Sequence, residues 1–190
     1  MDTIKYTHHY NSPIGGITLA SDGETLIGLW FDGQKYFADA LGGDYRYCEE
    51  KDLPVFRMTD RWLDIYFGGK APDFTPPLRM KNTDFRREVW EILLTIPYGQ
   101  TMSYGEIAKQ IGEKRLPGSK ISARAVGGAV GHNSISLIIP CHRVIGADGS
   151  LTGYAGGLDK KIWLLKHEGI LGNSLKEETL ERRNTGKKKL

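Results

Sequence analysis

Hydrophobic positions change period near the middle of the chain, and the change divides it. Over residues 11–33, NSPIGGITLASDGETLIGLWFDG, short apolar runs alternate with Ser-Pro and two Asp-Gly turn signals, the pattern of strands joined as a hairpin or meander. Trp62, Ile65 and Tyr66 then recur near helical spacing ahead of a Gly pair, which predicts one helix over about 55–67. KAPDFTPPLRMKN, residues 70–82, is a proline-rich connector and the expected domain boundary.

Beyond it the period is helical. Phe85, Val89 and Leu93 share one face of TDFRREVWEILLTIP (83–97), with Thr83 or Asp84 as cap. Ser103 and Glu106 stand at capping-box spacing before Ile107, Ala108 and Ile111, and Gly112 reads as the stop. EKRLPGSK (113–120) reads as a loop. ISARAVGGAVGHN (121–133) reads as a small-residue helix in spite of Gly127, Gly128 and Gly131, each of which lowers helix propensity by about 1 kcal/mol relative to Ala. Two short helices around a turn suggest a helix-turn-helix. The glycines let a backbone approach another surface closely, whether a neighbouring helix or a phosphate chain. SISLIIP (134–140) reads as a buried strand and GADGSLTGYAGG (146–157) as a glycine-rich hairpin or loop. LDKKIWLLKHEG (158–169) is an amphipathic helix with Leu158, Ile162 and Leu165 inward and Gly169 as C-cap.

At 190 residues and 39% hydrophobic positions, the chain can bury real cores without covalent staples. Cys48 and Cys141 stand far apart, which provides neither a disulfide framework nor a CxxC zinc pattern and fits a reducing cytoplasm. The first ten residues hold no apolar signal core, and no stretch approaches a membrane span, so a soluble protein with no targeting segment is expected. Charge is uneven: residues 1–80 carry eight Lys+Arg against twelve Asp+Glu, and residues 81–190 eighteen against eleven. The formal +3 therefore hides a basic second half, which suggests a polyanionic partner. Residues 174–190 supply part of that surplus and read as a basic, disordered tail.

The candidate chemistry centres on IIPCHRVIG (138–146). Pro140 suits the first position of a helical turn, which would put Cys141 near a helix N-terminus whose dipole favours thiolate. Neighbours on a strand face opposite ways, so Cys141 and His142 cooperate only if the chain turns here. Glu168 would complete a Cys, His, Glu constellation that activates a nucleophile. The competing readings are a buried cysteine that only packs and a solvated carboxylate at a helix end.

IPCHRV preceded by Asn133, with SYGEIAKQIG, ARAVGGAVGHN and GYAGGLDKKIWLLKHEG in this order, resembles the methylated-DNA-protein-cysteine methyltransferases, the 6-O-alkylguanine-DNA alkyltransferases. The match runs over about 84–171, and SPIGGITLAS with GLWFDGQ is similar to the same family's first domain. The resemblance implies an N-terminal ribonuclease-H-like α/β domain (1–80) and a winged helix-turn-helix-like, DNA-binding alkyltransferase domain (81–173). It implies DNA repair by direct reversal, a stoichiometric, irreversible transfer of the alkyl group from 6-O-methylguanine to Cys141, with 4-O-methylthymine as a further candidate substrate. A soft thiolate suits attack on a saturated carbon, and nothing in the sequence could hydrolyse the resulting thioether.

Carried over residue by residue, His142 matches the histidine that draws the thiol proton through a water, and Glu168 the carboxylate behind it. Asn133 matches the asparagine that organises the active-site turn, and Tyr104 the tyrosine that protonates the leaving guanine. Arg124 matches the finger that enters the base stack from a helix that, in the family, lies in the minor groove, where Ala123 and Gly127 keep it slender. Tyr154, Gly156 and the Val144 backbone match the wall of the pocket for the flipped base, and Ala155 stands where some members have serine. No cofactor and no metal are expected, since Cys48, His8 and His9 fall short of the family's first-domain zinc ligands. The expected partner is double-stranded DNA containing 6-O-alkylguanine, bound by a monomer without membrane association. The alternative is a lesion-binding or regulatory DNA-binding module that does not repair; relatives of that kind lack the cysteine.

Overall fold

The computed structural model describes residues 3–38, 45–116 and 118–171. The expected tail at 174–190, the end of the expected second domain at 172–173, and Pro117 within the 113–120 segment lie outside the described residues.

Four strands form one sheet: β1 (Thr3–Ser12), β2 (Gly15–Ser21), β3 (Leu26–Phe31) and β4 (Tyr45–Glu49), in the order β3-β2-β1-β4. The first three make the expected antiparallel meander, with Tyr10 opposite Ile17 and Leu19 opposite Leu29. The β1–β2 turn is made by Gly15 at φ +116, a backbone that side chains rarely tolerate. β4 lies parallel to β1, Tyr6 opposite Cys48; the sequence reading missed it, since five residues carry little periodic signal. Helix α1 (Pro54–Phe67) starts with proline, whose missing N–H costs nothing there, and buries Val55, Phe56, Trp62, Leu63 and Tyr66.

The rest is helical: α2 (Asp84–Leu94), α3 (Tyr104–Arg115), α4 (Ala123–Gly131) and α5 (Leu158–His167). A two-residue parallel ladder joins β5 (Met102–Ser103) to β6 (Val144–Ile145). Thr83, Ser103 and Ser122 cap α2, α3 and α4, and Ser103 with Glu106 forms the full capping box. Trp90 of α2 donates its indole N–H to the Ala129 carbonyl at 2.9 Å, which locks α4 against α2.

Three local expectations are corrected. Helix α3 does not stop at Gly112 but continues to Arg115. Gly112 is there because the following loop folds back on it: a Cβ would stand 2.4 Å from the Ser119 carbonyl oxygen. Residues 134–140 form no strand; only Ile135 makes a bridge, to Leu29, and the rest is turn. Helix α5 is rotated from the expected face, burying Lys161, Leu164 and Leu165 while Leu158 and Ile162 are half-buried.

The two halves share one apolar core, in which Ile17, Leu29 and Tyr66 pack with Val89, Ile139 and Leu164. The outer edge of β3 is the seam. The connector covers one end, where Leu26 receives and donates backbone bonds with Pro77 and Arg79, and residues 134–136 cover the other, bonded to both backbone groups of Leu29 at 2.9 Å. An edge strand that would otherwise invite foreign pairing is thereby closed, and the segment leading to Cys141 is held in register with the sheet.

Candidate active site

The turn before Cys141 is knitted by one side chain. Asn133 accepts from the Ile135 N–H at 3.0 Å and donates to the Ile139 carbonyl at 2.7 Å, taking the partners that a strand ladder would have supplied. The Ile139 N–H closes back on the Ile135 carbonyl, and Leu137 is forced to φ 68 while fully buried. That explains the misread strand: burial was legible, but a short apolar run does not distinguish a strand from a buried turn. Pro140 then leads into a three-residue 3-10 turn, Cys141–Arg143. Such a turn has little macrodipole, so the expected thiolate stabilisation by a helix N-terminus shrinks to the N–H groups of Cys141 and His142, which lower the thiol pKa but do not outweigh burial. Cys141 is 3% exposed, and burial pushes its thiol up, only partly offset by Asn133 and the Lys161 ammonium.

The turn does let neighbours cooperate. His142 is fully buried, with Nε2 at 2.6 Å from Glu168 Oε1. Glu168 also accepts from Arg143 Nε at 2.8 Å, from the Tyr66 hydroxyl at 2.8 Å and from the Gly99 N–H at 3.0 Å. Against its burial, His142 first and then Arg143 hold the carboxyl down at about 2, so it is ionised at neutral pH. Burial pushes the His142 imidazole below its ordinary value, which makes it neutral. With a carboxylate facing Nε2, the ring proton belongs there, and Nδ1 keeps its lone pair. Nδ1 is buried and has no hydrogen-bond partner among the described residues, so the imidazole is a base with one open position.

A cavity of about 520 Å³ opens over the thiol. Cys141, Tyr104, Tyr154 and Thr152 line it from below, and α4 supplies another wall through Ala123, Arg124, Gly127 and Gly128. Asn133, His142 and Glu168 stand behind the cysteine and do not line the space, nor do Val144 and Gly156. Gly156 instead makes room for the wall: a Cβ there would meet the Tyr154 ring at 2.8 Å. The Thr152 hydroxyl donates to the Tyr104 oxygen at 3.3 Å, leaving the phenol proton for another acceptor. Burial raises the Tyr104 pKa, which keeps that proton in place. Of the histidines near the N-terminus, His8 pairs with Asp60 and His9 with Asp32.

Three functional side chains were not singled out in the sequence. Arg143 follows the Cys-His pair directly, and its 7% exposure shows an ion pair drawn into the core. Lys161 is fully buried and donates to the Val144 and Thr152 carbonyls at 2.6 and 2.8 Å, fastening the cavity wall at Thr152 to the strand that follows the Cys141 turn; its place three residues after Leu158 and four before Leu165, on the expected apolar face, was the available signal. Tyr66 comes from α1, 102 residues from Glu168, and no local pattern could announce it.

Two family models match. The ribonuclease-like domain of 6-O-methylguanine DNA methyltransferase covers residues 5–80, and the DNA binding domain of 6-O-methylguanine DNA methyltransferase covers residues 84–170. A methylated-DNA–protein-cysteine methyltransferase from Mycobacterium tuberculosis is 47% identical over 163 residues, spanning 84% of this chain and 92% of its own. One from Methanosarcina acetivorans is 44% identical over 160 residues, spanning 84% and 96%. The crystal structure of Mycobacterium tuberculosis OGT in complex with DNA aligns with a TM-score of 0.75 at 44% identity, over 86% of this chain and 93% of that one.

Proposed function

The chain belongs to the 6-O-methylguanine DNA methyltransferase family, and from that premise we propose that Cys141 is the residue that takes the alkyl group. The protein is a DNA repair methyltransferase that binds DNA, with the family's ribonuclease-like α/β domain followed by a helical DNA-binding domain. The boundary is placed at 80/81, within the proline-rich connector. The substrate is 6-O-alkylguanine in double-stranded DNA, with 4-O-methylthymine as a lesser candidate, and the protein acts as a monomer in the cytoplasm or on the nucleoid. Among the described residues no helix is long and apolar enough to cross a membrane.

The observation that carries the assignment is a buried thiol that lines the cavity, followed in the same turn by a buried histidine whose Nδ1 is open. Cys141 rests as a thiol. Its proton passes, through one water, to Nδ1 of His142, and Glu168 stabilises the imidazolium formed at Nε2. The Cys141 sulfur attacks the alkyl carbon in line, the carbon–oxygen bond breaks, and its electron pair stays with the guanine. Tyr104 gives that ring a proton, so no purine anion is stranded; the thiol proton replaces it by way of solvent. Asn133 holds the turn, Tyr154, Gly156 and Val144 shape the wall for the extruded base, and Arg124 fills the gap left in the stack. Ala123 and Gly127 keep the groove-facing helix slender.

Intact-protein mass after mixing with a duplex bearing one 6-O-methylguanine tests this. One added methyl on the peptide containing Cys141, in a yield that stops at one equivalent, is expected. Binding with no mass change would leave a lesion-sensing module instead.

A further inference from the structure

The cavity over Cys141 does not end at the residues assigned to the methylated guanine. Its lining continues to Lys35, Tyr36 and His132, on a side to which no role has been given. Tyr36 and His132 stack there, with ring centroids 4.1 Å apart and planes at 22°. Tyr36 comes from the loop after β3 and His132 from the residue that ends α4, so the stack is built half from each domain. The His132 ring and the loop that carries Tyr36 are both held. His132 Nδ1 bonds the Gly128 carbonyl at 2.7 Å, and the Lys35 N–H donates to the Ala155 carbonyl of the opposite wall at 2.9 Å. Tyr36 sits at φ 61, a left-handed backbone that a bulky residue keeps only where its surroundings impose it.

Resting on the alkyl-transfer reading, we propose that Tyr36 and His132 form a stacking shelf for a second nucleobase of the lesion-bearing duplex. The lesion itself is claimed by Cys141, Tyr104 and Tyr154. Arg124, near the start of α4, and His132, just past its end, are about 12 Å apart along the helix axis, so the base that meets the shelf is not the one that Arg124 replaces. Stacking accepts any base, because every base has a π face, which suits an enzyme that must find its lesion in any sequence. The Lys35 ammonium lies 4.9 Å from the Tyr36 ring centroid. On a flexible, exposed stem it can leave that ring for a phosphate when a base arrives.

The test compares transfer from a duplex bearing one 6-O-methylguanine with transfer from the free base 6-O-methylguanine, using the full chain. Tyr36→Ala and His132→Ala should each slow the duplex reaction roughly tenfold, at the low end of what base–aromatic stacking contributes, and leave the free-base rate unchanged. Tyr36→Phe should restore the duplex rate. Lys35→Gln should lower the salt dependence of duplex binding by about one counterion. Equal losses on duplex and free base, or no loss on either, would overturn the shelf. If the wild-type chain transfers from neither substrate, it is the alkyl-transfer reading that has failed.

Discussion

Replacing Glu168 with Gln keeps the shape of a side chain that has four residues donating to it and removes its charge. The carboxyl is held at about 2 against an ordinary 4.5, and at 1.36 kcal/mol per unit the ionised form contributes roughly 3 kcal/mol of stability at neutral pH. A second route agrees in direction: Arg143 keeps the Ile96 carbonyl, at 2.7 Å, and one amide oxygen as acceptors but loses its charged partner, and outright removal of one partner of a buried ion pair, the upper bound, costs about 3–5 kcal/mol. The sign follows from the depressed value. The contribution is complete above about pH 4.5 and is lost as pH falls toward 2. Urea denaturation at a series of pH values reads it directly. The variant should be less stable by about 3 kcal/mol at pH 7 and lack this part of the acid loss, so that the two curves converge at low pH. A variant with the wild-type acid slope, or with wild-type stability at neutral pH, would refute the assignment of Glu168 as an ionised, buried hub.

Other substitutions probe the remaining supports. Asn133→Ala leaves the Ile135 N–H and Ile139 carbonyl without their side-chain partner in the core; denaturation should show a loss of about 2–4 kcal/mol, and methyl transfer should be abolished. Gly112→Ala drives a Cβ to 2.4 Å from the Ser119 carbonyl and should cost about 1–3 kcal/mol in thermal or chemical unfolding, with the transfer rate unchanged at temperatures where the protein stays folded. Lys161 is held down at about 8 against 10.5, so wild-type stability should climb as pH rises between those values, the window in which only the unfolded chain keeps the proton. Lys161→Met should flatten that alkaline rise in the same denaturation series and slow transfer by loosening the Val144–Thr152 clasp.

Much of this architecture is written locally. The caps Thr83, Ser103 and Ser122 announce their helices because the orphan N–H groups of a helix start can be met from three residues away. The turn signals of the first strands act at similarly short range. What escaped notice acts across the chain. Gly112 reads as a stop until the 119 loop is seen folded against it. The strand over 134–140 is a reasonable reading of an apolar run until the Asn133 amide is found satisfying its backbone. The same holds for the site. Cys141, His142 and Glu168 could be named from their motifs, but the Tyr66 hydroxyl arrives from the other domain, and a lysine such as Lys161 on an amphipathic helix draws no notice until its burial is seen. The thiol's surroundings were misjudged for a related reason, since proline before cysteine suggests a helix start without fixing how long the helix will be.

The covered edge of β3 bears on whether the molecule can be divided. A protease that nicks the exposed connector would cut the chain without separating its parts, because Leu26 and Leu29 still hold segments from beyond the cut and Tyr66 still reaches Glu168. The pieces should co-elute under native conditions and part only in denaturant. The catalytic half is therefore not a portable cassette: expressed alone, it would lose the strand against which its cysteine-bearing turn is registered, along with one of the donors that keep its carboxylate charged.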